Sequence, residues 1–164
     1  MTTAILKNAP TGFPGDVSRL QDSIVEPIMM GSQFSGFGLP FKYNGAGKAV
    51  PIAAADTAAA FRGILTRMVP SISGNNNQGF DDSIPNLESA QGALKFGYGL
   101  VNCKVGTPVR GGVVYMRVVE ALPKLVGDFE ATADSTNSVA LTQCEWATNG
   151  KDANGTAEIR IKNA

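Results

Sequence analysis

The apolar positions of this chain come in short alternating runs cut apart by Gly, Pro and Asn, a pattern that predicts strands rather than helices. Residues 39–43 (LPFKY) lead into Asn44-Gly45, a pair suited to the positive φ of a tight hairpin turn. Residues 49–53 (AVPIA) read as the return strand, with Pro51 implying an edge or a bulge. Residues 61–69 (FRGILTRMV) form the next expected strand, closed by Pro70. Residues 94–104 (LKFGYGLVNCK) place Leu94, Phe96, Tyr98 and Leu100 on one face. Gly97 and Gly99 fall on the other, where close backbone approach or strong curvature is expected. Residues 113–120 (VVYMRVVE) follow the Gly111-Gly112 turn and are the best strand candidate, β-branched and aromatic. Residues 125–131, 138–146 (SVALTQCEW) and 156–162 (TAEIRIK) complete the series, with polar turns at 134–137 and 149–155. The alanine-rich stretch 51–61 has no apolar stripe, and it reads as a strand end and a short turn. The expected fold is all-β: a small antiparallel β-barrel or a jelly-roll-like sandwich with an extended N-terminal arm.

Two segments stand outside that series. Residues 1–31 read as an arm and residues 32–164 as the body, which carries a long irregular loop at 71–92. The arm holds Phe13, Val17, Leu20, Ile24, Val25, Ile28, Met29 and Met30, but Pro14 and Pro27 forbid a continuous helix through it. An extended apolar segment needs a surface to lie on. If that surface belongs to a neighbouring subunit, these residues and Arg19, whose guanidinium fork suits interfaces, form an adhesive contact. On that reading the body folds without the arm. Phe80, Ile84 and Leu87 give the long loop apolar groups with which to dock.

Composition narrows the chemistry. A chain of 164 residues with 43% apolar content is the size of one ordinary domain and needs no staple to hold a core. Charges balance at 14 basic and 14 acidic residues with no like-charge block, which disfavours nucleic-acid binding. They are unevenly spread: residues 93–119 carry Lys95, Lys104, Arg110 and Arg117 and no acid, while residues 120–164 are acidic on balance. Complementary patches that steer subunits into register are one reading, ordinary surface patterning the other. There is no histidine, which removes the commonest acid–base catalyst and metal ligand. Cys103 and Cys144 sit in apolar strand contexts, where buried free thiols are expected, although spacing alone leaves a bridge open. No run of about 18 apolar residues suggests a membrane span, and no signal pattern opens the chain, so cytoplasmic synthesis is expected.

The chemical motifs are weak. Gly45-Ala46-Gly47-Lys48 lacks the upstream glycine and the following Ser/Thr of a phosphate loop, and Gly36-Phe37-Gly38 lacks the third glycine of a dinucleotide fingerprint. Asp81-Asp82 has too few neighbouring oxygen ligands for a cation site, and Asn154-Gly155-Thr156 reads as a turn. No catalytic residue, cofactor or metal site is expected. A β-sandwich module that binds carbohydrate or a host surface is the alternative, with Trp146, Tyr43 and Tyr98 as its possible aromatic platform.

The order of the motifs carries more information than any one of them. Gly15-Asp16-Val17-Ser18-Arg19 and Val25-Glu26-Pro27 are followed by Phe37-Gly38-Leu39-Pro40 and Lys48-Ala49-Val50-Pro51-Ile52. Asp56-Thr57-Ala58-Ala59 then leads into Arg62-Gly63-Ile64-Leu65-Thr66-Arg67, with Asn77-Gln78-Gly79 in the loop. Gly111-Gly112-Val113-Val114-Tyr115-Met116-Arg117-Val118, Ala131-Thr132-Ala133-Asp134, Asn137-Ser138-Val139-Ala140 and Gly155-Thr156-Ala157-Glu158-Ile159 complete the set. In this order and spacing, over nearly its whole length, the chain resembles the structural cement (capsid decoration) proteins of tailed bacteriophages. It departs from that pattern at Leu39, where an acid is expected, and in the polar run Asn75-Asn76-Asn77. The resemblance implies a non-enzymatic β-barrel protein on the outer surface of the virion. Its partners would be the major capsid protein and itself, as a homodimer or homotrimer at a local symmetry axis, with no nucleic acid and no membrane.

Overall fold

A computed structural model of the protein describes residues 12–67, 84–87 and 90–162. Phe80 and most of the long loop lie outside them. The strands are β1 (Ile24–Ile28), β2 (Phe41–Tyr43), β3 (Ala49–Pro51), β4 (Ile64–Thr66), β5 (Gln91–Val105), β6 (Val113–Arg117), β7 (Phe129–Glu130), β8 (Ser138–Trp146) and β9 (Thr156–Ile161). Two 3-10 turns, Leu20–Asp22 and Ala58–Ala60, are the only helical elements among the described residues. The second falls in the alanine-rich stretch read as a turn.

Strands β5, β7, β6, β8 and β9 pair in that order, and β9 returns to β5, closing a five-stranded barrel. The all-β barrel expectation is met. All of these pairs are antiparallel except β5–β7, which is parallel. The barrel interior holds Val101, Cys103, Val114, Met116, Phe129, Leu141, Cys144, Trp146, Ala157, Ile159 and Ile161. These positions alternate along their strands, as burial of one strand face requires, except that β8 shifts phase between Leu141 and Cys144 opposite a bulge at Val113–Val114. Both cysteines are free and buried. Burial pushes the Cys144 thiol up to about 12.

The fifteen residues of β5 extend beyond this barrel, and their first half is the spine of a second, smaller ring. There β5 is flanked by β1 on one edge and β4 on the other. Backbone bonds Leu65 N–H to Leu39 and Phe41 N–H to Gly63 join β4 to the chain entering β2, and β2 pairs with β3. Ala49 N–H to Met29 and Gly31 N–H to Ala49 then return to the end of β1. This ring encloses Ile28, Met30, Phe34, Phe41, Ala49, Leu65 and Ala93.

Gly97 is where β5 passes from one ring to the other. Its φ of +108° is open to glycine, and a Cβ there would collide with Ser23 and Asp22. The close approach expected of this glycine is therefore present. The expected single face of Leu94, Phe96, Tyr98 and Leu100 is not: Leu94 and Leu100 are buried, but Phe96 is 38% exposed. The positive φ reverses the alternation, and the pairing slips beside it, Ile24 opposite Phe96 and Val25 opposite Leu94.

Candidate functional site

The segment 12–31 runs antiparallel along one edge of β5. Gly15 N–H donates to Leu100, Leu100 N–H to Asp16 and Ser18 N–H to Tyr98, and β1 continues the ladder from Phe96 to Gln91. Prolines and glycines exclude a helix here, and an extended chain on an unpaired strand edge satisfies its backbone. Arg19 and Ser18 clamp the turn between the two paired stretches. Ser18 Oγ donates to Glu158 Oε1 at 2.5 Å, and Arg19 Nη2 to Glu158 Oε2 at 2.9 Å. The Arg19 guanidinium also lies 4.0 Å from the centre of the Tyr98 ring. The hydrogen bond to Glu158 raises the Arg19 pKa, outweighing partial desolvation.

This geometry sorts the predicted contact residues. Ile28 and Met30 belong to the second core, at 8% and 3% exposure, and their expected outward contact is corrected. Val17 is half-buried against the barrel core, and its backbone bridges Gly99. Arg19 pairs with Glu158 of its own chain, and its side chain keeps 39% of its surface exposed. Phe13, Leu20, Ile24, Val25 and Met29 remain exposed, between 42% and 76%. Ile24 and Phe96 are cross-strand partners, both exposed, and line a shallow cup with Ser23, Tyr98 and Arg160. Ile84 and Leu87 of the long loop are exposed as well. Pro27 stands within β1, an edge strand that lacks its donor at that point.

A second exposed apolar feature was not read from the sequence. Between β6 and β7 the chain makes a tight hairpin, Ala121 and Lys124 exchanging both backbone bonds at 3.1 and 3.0 Å. Leu122 at its tip is 78% exposed, and Val119 and Leu125 flank it at 40% and 46%. A buried ion cluster holds its base. Arg117, fully buried, donates to Glu130 Oε1 at 2.6 Å, to Asp134 and to the Val119 carbonyl at 3.2 Å. Lys124 Nζ meets Asp134 Oδ2 at 3.2 Å. Burial works against the Arg117 charge, but the Asp134 and Glu130 bonds outweigh it and its pKa is raised. The Arg117 bond, with help from Lys124, lowers the Asp134 carboxyl to about 2. Asp128 Oδ2 accepts the Leu125 N–H at 2.7 Å.

Among the described residues no group of three or more His, Cys, Asp and Glu side chains is placed to hold a metal ion, and no helix is long and apolar enough to cross a membrane. Trp146 is 1% exposed inside the barrel, and Tyr98 is covered by Arg19 with Arg160 beside it. Neither joins Tyr43 in an exposed aromatic platform, so the carbohydrate reading loses its surface.

The comparisons with known proteins point the same way. The family model described as XM1 gp53 minor capsid protein matches residues 1–161. A chain from a structure described as the capsid of Myoviridae phage XM1 shares the fold, with a TM-score of 0.70 at 18% identity. The similarity covers 99% of this chain and 97% of that one. No curated protein matches. The protein is thus a structural protein of tailed phages, as the ordered motifs implied. It belongs to the XM1 gp53 minor capsid protein family.

Proposed function

We propose that this minor capsid protein is a cement protein. It binds the outer surface of the phage head, bridges neighbouring major capsid subunits and holds the shell together against the pressure of packaged DNA. The observation that carries this reading is the set of exposed apolar side chains on the N-terminal segment: Phe13, Leu20, Ile24, Val25 and Met29, with Phe96 beside Ile24. Such side chains gain about 1.5–3 kcal/mol each on full burial, and roughly half of that here because they are already partly covered. The segment that presents them is held to β5 by backbone bonds at Gly15, Asp16 and Ser18 and along β1 before any partner arrives. The ordering cost of about 1–2 kcal/mol per residue therefore falls on folding, not on docking. Pro27 blunts β1 against the addition of another strand, so the contact is made through side chains. Weak contacts repeated at symmetry-related positions add up by avidity, and self-association at a local axis strengthens each bridge. The role is mechanical and asks for no catalysis.

Heads assembled without this protein provide the test. Added wild-type protein should bind at a fixed ratio to the major capsid protein and raise the temperature at which heads release DNA. Ile24→Asp and Val25→Asp should bind poorly while melting as the wild type does. Release temperatures unchanged by saturating wild-type protein would refute the cement role.

A further inference from the structure

We propose that the cleft between the two rings receives an extended, acidic and apolar segment of a neighbouring shell subunit. The proposal rests on the cement reading and goes beyond it by assigning a receptor site and the chemistry of its occupant. The cleft has a volume of about 260 Å³, with apolar walls from Phe37 and Leu39 on one side and Pro123 and Leu125 on the other. Lys104 and Arg67 also line it. No residue lines both this cleft and the Ile24–Phe96 cup.

Both walls are fixed in advance. Leu125 stands at the base of the hairpin held by the Lys124–Asp134 pair, and its own N–H is bound by Asp128. Phe37 and Leu39 flank Gly38, which packs directly on the N-terminal segment: a Cβ on Gly38 would lie 2.7 Å from Gly15 N and 2.9 Å from Pro14 Cβ. The Arg67 guanidinium sits 5.0 Å from the Phe13 ring centre and 5.5 Å from that of Phe37, tying this wall to the same segment. A cleft with rigid walls takes a ligand without first paying to order itself.

Charge selects the occupant. Among the described residues the single carboxylate lining the cleft is Asp128, which is 7% exposed and committed to the Leu125 N–H. Lys104 is exposed and forms no ion pair with any described residue. The open side therefore presents the Lys104 charge beside apolar walls. An extended segment with a carboxylate next to an apolar side chain satisfies both at once, the acid facing Lys104 and the apolar group lying between Phe37 and Leu125. A basic or purely polar segment leaves one of them unmet.

The experiment is a binding titration of the full-length protein onto heads lacking it, at low and at raised salt. Lys104→Glu should weaken binding about tenfold or more at low salt and flatten its salt dependence, whereas Lys104→Arg should stay within about threefold of wild type. Leu125→Asp should weaken binding at both salt concentrations. Lys104 is exposed on a barrel strand, so its variants should melt as the wild type does. Wild-type affinity for both Lys104→Glu and Leu125→Asp would overturn the cleft assignment and leave the cement reading standing. Failure of the wild-type protein to bind heads would overturn both.

Discussion

Met30→Ala and Ile24→Ala form a matched pair that separates the two faces of the N-terminal segment. Met30 is 3% exposed and lies among Ile28, Phe34, Phe41, Ala49, Leu65 and Ala93, where the second ring closes. Truncating it removes buried apolar volume that the rigid ring cannot refill, a loss of about 2–5 kcal/mol. In a chain of this size each kcal/mol lowers Tm by about 2–4 °C, so a loss of about 3 kcal/mol corresponds to roughly 6–12 °C. Ile24 is 55% exposed and paired only with the exposed Phe96, so its truncation should cost no more than about 0.5 kcal/mol. Urea and thermal unfolding of the two purified variants, followed by circular dichroism, give both numbers. Shell binding should show the opposite order, with Ile24→Ala the weaker binder once Met30→Ala is compared well below its Tm. A Met30→Ala variant within about 2 °C of wild type would mean that this segment does not complete its own protein's core, and the division of faces would fall.

The remaining predictions concern the polar interior and the pivot of β5. Arg117→Met leaves the fully buried Glu130 carboxylate without its cation and should cost about 3–5 kcal/mol by chemical denaturation. Arg117→Met with Glu130→Leu should recover part of that, and a double variant no more stable than Arg117→Met alone would refute the argument. Asp134 is held at about 2, below its ordinary 3.8, so its contribution is complete above the ordinary value and lost as pH falls towards 2. Asp134→Asn should flatten the fall of Tm in that window without abolishing it, because Glu145, lowered by its bond to Lys162, works in the same direction. An unaltered acid slope in Asp134→Asn would count against the assignment. Gly97→Val meets both a φ of +108° and the backbone of Asp22, and should cost at least about 2 kcal/mol, with faster amide exchange along β1 as the local signature.

The barrel was legible because half-buried strands write a period of two into the sequence. Residues 156–161 carry Ala157, Ile159 and Ile161 at a strict period of two, whereas 138–146 shift phase between Leu141 and Cys144 opposite the Val113–Val114 bulge. The Asn44-Gly45 pair marked the β2–β3 hairpin but not its turn: the loop spans residues 44–48 and the positive φ falls at Gly47. The N-terminal segment was half legible. Its prolines and glycines correctly exclude a helix, but an extended apolar chain fits its own sheet edge as well as a neighbour's. The spacing of Ile28 and Met30, two apart with Met29 exposed between them, is the mark of a strand with one covered face, and it was the available signal. Arg19 reads alike as a free anchor or a clamped one, because its partner Glu158 lies 139 residues away. The ion cluster under the 119–125 hairpin was hidden for a related reason: Arg117, Glu130 and Asp134 sit in different local contexts, and only the β6–β7 pairing brings them together. The exposed apolar tip at Leu122 had no periodicity to betray it.

One strand, β5, runs through both rings, and each ring draws two of its pairing edges from it. Opening of one ring should loosen the other, because the two halves of β5 are continuous through Gly97 and each half supplies a wall. The molecule should therefore unravel in a single step, and its β5 amides should exchange with deuterium only through global opening. A capsid that includes such a protein gains no softened intermediate from it: each copy is either whole or gone.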